Sequence, residues 1–511
     1  MGDSRTTTIG MLGTAGTVLT VEASFAAPAS DHDRQVRVSG LADNIANQIQ
    51  VRVRAAMANS ALHFPHQSVT ITISPAAHGL TGSAADLAVA VAIMSATGMV
   101  PAGRLTNAVL LAELGLDGSL RVVPGAFPAV TAARKAGFGT AIVAPDNAAE
   151  AALVAGMTVL APSNLSGLAA WLHGQTELEP ARRNPGTPAH PLPDFADLHA
   201  RPRERRVLEV AAAGGHHLFL VGPPAAAKTA LAERLPSILP PLSEAETVEV
   251  TALHSLRGRL IGGSTELIGH APFEAPHHSM TAQALIGGGH SGGPGSLALA
   301  HRGVLFIDEA PEWRRHVLDT LLRPLERGEV LVRNANSTVR WPARCLLVLA
   351  STPCPCAPSP GTECRCSAGE RRRYLGRLAR PLLDRIDLHC EVDASSGVAQ
   401  ADWLELQSAR SAAARVRRAR EIAAARWRLT GESWRLNSDV PGQALRSARW
   451  RLPAKATKTA DGLLRWERIT VRGYDRILSI AWTLADLRAQ AQPTSDDVDA
   501  AVELRLGYPI H

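Results

Sequence analysis

Apolar residues along this chain keep two rhythms in turn. Near the start, Thr, Val and Ile alternate in "RTTTIG" (5–10) and "TVLTVEASF" (17–25), the period of two expected for a strand pair with one wet face. "SVTITIS" (68–74) repeats that period, and "AIVAP" (141–145) adds a short buried run. Ala-rich stretches separate them. One of these, "DLAVAVAIMSATGMV" (86–100), is apolar all round and predicts an enclosed helix. Ending in the helix-like "LSGLAAWLHG", residues 1–174 read as an α/β domain. The segment "TELEPARRNPGTPAHPLPD" (176–194) then carries five prolines and no apolar period, so 175–196 read as a linker.

A second α/β unit, 197–395, begins with "RRVLEVAAAGGHHLFLVGPP": a helix, a Gly-Gly break, and the apolar strand "HLFLVG". The helix "KTALAERLPSIL" follows. Two further buried strands, "GVLFIDEAPEW" (303–313) and "CLLVLAST" (345–352), predict a parallel, doubly wound sheet. From about residue 396 strands give way to Arg- and Ala-rich helical patterns, so 396–511 read as a separate helical domain.

Composition narrows this picture. With 46% hydrophobic and 4% aromatic residues, 42 Gly and 34 Pro, the chain can bury several cores and is no disordered tract. Its longest apolar run falls short of the roughly 20 residues of a membrane span. No membrane association is expected. Asp3 interrupts the charged region of a secretory signal, and four of the six cysteines fall within 13 residues, unlike a disulfide framework. A cytoplasmic chain is therefore expected. The net charge of +6 is concentrated: 11 Arg lie between Arg410 and Arg451 against only Glu421, Glu432 and Asp439.

The chemistry gathers at two strand ends. "GPPAAAKT" places Gly222, Pro223, Pro224, Ala225, Ala226, Ala227, Lys228 and Thr229 between a strand and a helix, the context of a phosphate-binding loop. Lys228 would reach the phosphates of ATP and Thr229 its Mg2+. Ala225 and Ala227 stand where glycines are expected. If both need positive φ, the cost of roughly 2–4 kcal/mol would weaken nucleotide affinity by about 30- to 1000-fold. About 80 residues on, Asp308 offers a carboxylate to the magnesium shell and Glu309 one to an attacking water.

These stretches, with "APHHSMTAQALIGGG", "GSLALAHRGVLFIDEAPEW", "RPLERGEV", "PCPC…CRC" and "RPLLDRIDLHCEV", resemble the ComM/YifB-type magnesium-chelatase-like AAA+ ATPases over about residues 8–508. The resemblance implies a Lon-protease-like N-terminal domain (ribosomal S5 type 2-like), an AAA+ core with a helix-2 insert, and a C-terminal helical lid. It also implies a homo-hexameric ring, and branch migration of recombining DNA as the activity of characterised members. Position by position, Lys228 and Thr229 match the P-loop pair and Asp308 and Glu309 the Walker B acids. Thr352 stands where sensor 1 usually has Asn, Arg385 matches the arginine finger, and Arg472, with Arg476 as runner-up, matches the sensor-2 arginine. Glu274 replaces a usual Arg. The Lon pattern aligned on Gly82 puts Ser83 at its proline, Ala84 at the nucleophile and Pro128 at the lysine, so no protease is expected.

Two features leave alternatives open. Cys354, Cys356, Cys364 and Cys366 form a C-x-C-x7-C-x-C array that suits a structural Zn2+ or stays as free or redox thiols. The segment "RSAAARVRRAREIAAARWRLTGESWRLN", with Trp427, Trp434 and the later Trp450, suits DNA phosphates and bases, or is a solvated helix with tryptophans in its core. Cys345 and Cys390 read as core, His66 and His78 as surface, and His277-His278 as strand residues before a Gly-rich insert free to enter a ring's pore. The expected activity is a DNA-remodelling ATPase with a weakened site; the alternatives are a partner-binding pseudo-ATPase and a magnesium chelatase subunit.

Overall fold

The computed structural model describes residues 4–26, 36–65, 68–76, 84–182, 193, 202–224, 226–261, 266–288, 292–334, 337–357, 364–392 and 409–507. His66, His78, Ser83, Ala225 and the tip of the Gly-rich insert lie outside the described residues, as does most of the proline-rich linker.

The alternating start of the chain forms an antiparallel hairpin of β1 (Ser4–Leu12) and β2 (Ala15–Ala26). With β3 (Val36–Ser39) and β4 (Ser68–Ser74) it makes a four-stranded sheet in the order β1-β2-β4-β3. A parallel sheet of β5 (Ala108–Leu111), β8 (Thr140–Val143) and β9 (Thr158–Leu160) follows, beside a small ladder of β6 (Glu113–Leu114) and β7 (Leu120–Arg121). The all-apolar helix Asp86–Ala96 packs on β1, β2 and β5 and is buried from Asp86 to Met94. Arg52 anchors its start, with Nε 2.6 Å and Nη2 3.0 Å from the Asp86 carboxylate. Ala84 sits in the turn before it and Pro128 is buried within the helix Ala126–Lys135. Neither carries a side chain able to attack or to accept a proton.

The N-terminal unit is docked onto the next one. Gly125 (φ +84°) donates its N–H to Ser255 O at 3.0 Å, and a Cβ there would meet the Leu256 side chain at 2.7 Å. That contact closes only over glycine.

The second unit is built on β10 (Leu218–Val221), β11 (Phe273–Glu274), β12 (Val304–Ile307), β15 (Leu346–Ser351) and β16 (Leu388–Glu391). All pairs are parallel, in the order β11-β12-β15-β10-β16. The pleat sorts side chains to two faces. Leu218, Leu220, Phe306, Val348 and Ala350 meet the helix Pro202–Gly214 and the C-terminal helices. Phe219, Leu305, Ile307, Leu347 and Leu349 meet Leu253, Leu285, Leu297 and Trp313. Both faces are covered, as the apolar runs require. The sequence "GEVLVRNANSTVRWP" adds an antiparallel pair, β13 (Glu329–Asn334) and β14 (Ser337–Pro342).

Beyond residue 408 the described chain is helical, chiefly Ala409–Arg428, Ala454–Arg465, Val471–Leu487 and Ser495–Leu506. Here the structure bears on the tryptophans of the Arg/Trp segment. Trp427 is buried, packs edge-on against Trp450 (5.0 Å between centroids) and Trp482 (5.9 Å), and donates from Nε1 to Asn437 Oδ1 at 2.8 Å. Its ring is core and offers no face to a base. Arg426 pairs with Asp486, Arg415 with Glu209, and Arg420 donates to Ala212 O. Arg417, Arg418 and Arg428 remain exposed. Among the described residues no helix is long and apolar enough to cross a membrane.

Candidate nucleotide-binding site

Strand β10 ends at Val221, and its neighbours dictate the turn that follows. Gly222 donates its N–H to Ser351 O at 3.1 Å, and a Cβ on it would lie 2.2 Å from Val392 O. Any side chain would collide with that backbone. Pro223, Pro224 and Ala226 carry the loop round to Ala227, which caps the helix Lys228–Glu233 at φ 57°, ψ 20°. Lys228 folds back over the loop, its Nζ donating to Gly222 O and Pro223 O at 2.8 Å each. Burial lowers the Lys228 pKa, and the nearby Asp308 and Glu309 oppose that shift.

Ala227 thus holds the left-handed conformation in the folded chain. Its strain, ~1–2 kcal/mol for a residue with a Cβ, falls on folding rather than on nucleotide binding, which revises the penalty expected from sequence. Ala227→Gly should therefore raise unfolding free energy by about 1 kcal/mol in a denaturant titration. Affinity for Mg·ATP should stay nearly constant; a tenfold gain would place the strain in the binding step.

The acids arrive on the next strand but one. β12 pairs with β15, which pairs with β10, so Asp308 and Glu309 emerge on the same edge as the loop. Thr229 Oγ1 donates to Asp308 Oδ2 at 3.2 Å, while Asp308 Oδ1 accepts the Glu309 N–H at 2.8 Å. Trp313 Nε1 holds the Asp308 carbonyl at 3.0 Å. Glu309 is itself left-handed (φ 48°, ψ 43°), which turns its carboxylate out from the strand end. It lies 3.3 Å from His278 Nδ1. Sequence reading assigned His278 to a strand; it sits past β11, and the parallel β11–β12 pairing brings it to Glu309.

Thr352 follows β15 on this edge, but its hydroxyl turns inward. Its Oγ1 donates to Cys354 O at 3.0 Å and lies 3.0 Å from the Tyr374 hydroxyl. The four cysteines beyond it converge: the Sγ atoms of Cys354, Cys356, Cys364 and Cys366 all lie within 4.8 Å of one another. Cys345 and Cys390 stand apart, Cys390 buried in β16 and Cys345 half-buried before β15. Glu274 is buried and paired with Arg259, Nη2 to Oε2 3.0 Å.

The arginines take the opposite edge. Arg385 precedes β16 and Asp387 donates its N–H to His217 O, just before β10, so Arg385 lies at the amino ends of the strands. The four residues of β10 alone separate it from the loop by about 10 Å at 3.3 Å per residue. Arg385 pairs with Glu326 and faces a cleft of about 1850 Å³ lined also by Arg417, Arg435 and Arg476. Arg476 Nε lies 3.1 Å from Asp387 Oδ1, and His216 Nδ1 3.0 Å from Oδ2. Although burial raises the Asp387 pKa, Arg476 and His216 hold it well below the usual carboxylate range. Arg472 stands one exposed turn earlier on the helix Val471–Leu487. The structure brings neither Arg472 nor Arg476 to this chain's own phosphate loop.

A parallel α/β sheet with strand, loop, Lys-Thr and helix in sequence, and an acid pair ending a neighbouring strand, defines a P-loop-type fold. The model of magnesium chelatase, subunit ChlI, matches residues 194–400; subunit ChlI of Mg-chelatase matches 26–147 and the ChlI C-terminal model 406–505. An uncharacterized protein of Mycobacterium tuberculosis is 41% identical over 508 residues, 99% of each chain. YifB of Escherichia coli is 34% identical over 467 residues (91% of this chain, 90% of its own), and competence protein ComM of Haemophilus influenzae 35% over 463 (89% and 88%). The chain belongs to the ComM/YifB-type magnesium-chelatase-like family.

Proposed function

We propose that this chain is an ATP-driven, ring-forming protein that remodels DNA in the cytoplasm, with Mg·ATP held at the loop of Lys228. The observation that carries the reading is the side-by-side placement of Thr229 Oγ1 and Asp308 Oδ2, 3.2 Å apart at the mouth of that loop. Hard oxygen donors so placed suit Mg2+, whose bound charge would offset that developing on the transferred phosphoryl group. Lys228 gives up its two carbonyl partners to meet the β- and γ-phosphates. Glu309 would accept a proton from the attacking water, a role supported by its position at the end of β12 next to Asp308.

Arg385 cannot serve its own loop from the far edge of the sheet. In a hexamer it would meet the γ-phosphate of a neighbouring subunit, with Arg472 and Arg476 flanking it from the helical domain. DNA as substrate is supported by the name of the relative ComM, a competence protein, and by the exposed Arg417, Arg418 and Arg428 of the helix Ala409–Arg428. The N-terminal unit, with Ala84 and Pro128 at the Lon-like positions, serves assembly or docking. A pseudo-ATPase scaffold is the second reading, favoured by the engagement of the Thr352 hydroxyl within the chain. A chelatase subunit fits less well: the 38 kDa magnesium-chelatase subunit of Cereibacter sphaeroides aligns with 22% of this chain.

ATP turnover with and without branched or single-stranded DNA, measured beside the mass of the Mg·ATP-bound assembly, separates these. The motor reading expects a hexamer and DNA-stimulated turnover. Assembly and ATP binding with turnover no higher than that of Lys228→Ala would instead establish the scaffold.

A further inference from the structure

We propose that Cys354, Cys356, Cys364 and Cys366 bind one zinc ion as a tetrathiolate centre, and that this centre clips Thr352 and Tyr374 together beside the nucleotide site. The second clause rests on reading the carboxyl edge of the sheet as that site; the first does not.

The sulfurs have the spacing of one ion's ligand shell. Tetrahedral zinc with Zn–S bonds of about 2.3 Å needs sulfurs about 3.8 Å apart. Cys354 Sγ lies 3.3 Å from Cys356 and 3.4 Å from Cys364, Cys356 lies 3.6 Å from Cys364, and all four fall within 4.8 Å. Two disulfides would draw the atoms into separate pairs; here Cys354, Cys356 and Cys364 are nearly equidistant, and all four sulfurs lie together. Four soft donors with no carboxylate or imidazole among them select a thiophilic d10 ion over magnesium or calcium. Cys354 is buried while Cys356 and Cys364 are exposed, so an ion can enter from solvent and still be anchored to the core. Binding releases the thiol protons to water and changes no oxidation state.

The centre's place in the chain gives it a task. Cys354 lies two residues after Thr352, and its carbonyl accepts the Thr352 hydroxyl. Cys366 precedes Ser367, the N-cap of the helix Ala368–Leu375, whose capping box with Glu370 fixes the helix direction. That helix delivers Tyr374 back to Thr352 at 3.0 Å. Just beyond it, Arg377 Nη1 reaches both carboxylate oxygens of Glu312 at 3.1 Å, three residues after Glu309. An ion closing the loop between Cys354 and Cys366 therefore sets the helix that braces both the end of β15 and the segment following Glu309.

The test uses the full chain. Metal content is measured after dialysis, the zinc is replaced by Co2+ for its visible spectrum, and amide exchange is followed over 346–352 and 368–377 before and after chelation. One zinc per chain, a tetrathiolate cobalt spectrum and faster exchange in both segments after chelation are expected. Cys364→Ser/Cys366→Ser should lose the metal, and Cys345→Ser, outside the cluster, should keep it. A chain that takes up neither Zn2+ nor Co2+ stoichiometrically has free or redox thiols, and the proposal falls. Stoichiometric metal with unchanged exchange around Thr352 and Tyr374 overturns the clip. No readout depends on ATP turnover, so a failure of the nucleotide reading shows separately.

Discussion

Arg385→Ala is expected to lower ATP turnover by about three orders of magnitude or more, the usual worth of an arginine finger, while leaving each chain's affinity for Mg·ATP unchanged. Arg385 stands at the amino ends of strands whose carboxyl ends carry Lys228, so its loss cannot disturb the loop of its own subunit. In the proposed ring, the phosphoryl group it would stabilise is a neighbour's. Mixtures of Arg385→Ala and Lys228→Ala chains should therefore regain part of the turnover that each lacks alone, since one keeps the loop and the other the arginine. Steady-state turnover of the mixture against the two separate variants is the check. No recovery, with mixed assembly verified, would remove Arg385 from the reaction in trans.

The second large effect is at Glu309. Glu309→Gln keeps the size of the side chain and removes its basicity, so turnover should fall by about 10²- to 10⁴-fold with nucleotide binding retained. The carboxylate is exposed and lies beside His278 rather than in an ion pair with Lys or Arg, so little stability rests on its charge. Denaturant unfolding of the variant should match that of the parent. A variant that binds ATP, assembles and still turns over at the parental rate would show that Glu309 is not the base.

Much of the carboxyl edge was legible in the sequence because continuous apolar runs have little choice. "HLFLVG", "GVLFI" and "CLLVLAS" are too short for helices and too apolar for an exposed sheet, and each became a strand of the buried parallel sheet. Their polar exits, Lys228-Thr229 and Asp308-Glu309, then had to share an edge. What stayed hidden depends on partners distant in sequence. Nothing local to "APHHSM" announces Glu309; the contact exists because β11 lies beside β12. The setting of the arginines was hidden for the same reason: Arg476 answers Asp387 across 89 positions, and no local pattern reports that pairing. "KTALAERLPSIL" read as one helix but is two, Lys228–Glu233 and Leu235–Ile238. Pro236 cannot donate to the preceding turn, so the ladder breaks there.

The alanines of the loop carry a further lesson. Reading Ala227 against a glycine pattern raised a left-handed conformation as a condition, and Ala227 holds that conformation at φ 57°. In the folded chain that conformation is already in place, with Lys228 bonded across the loop, so the fold bears the strain.

The central claim is that the loop of Lys228 binds Mg·ATP, and calorimetric titration of the parent chain and of Lys228→Ala with Mg·ATP tests it most directly. Saturable binding by the parent, one nucleotide per competent loop, and none by Lys228→Ala are expected. A parent chain that takes up no nucleotide, or a variant that binds as well as the parent, would contradict it.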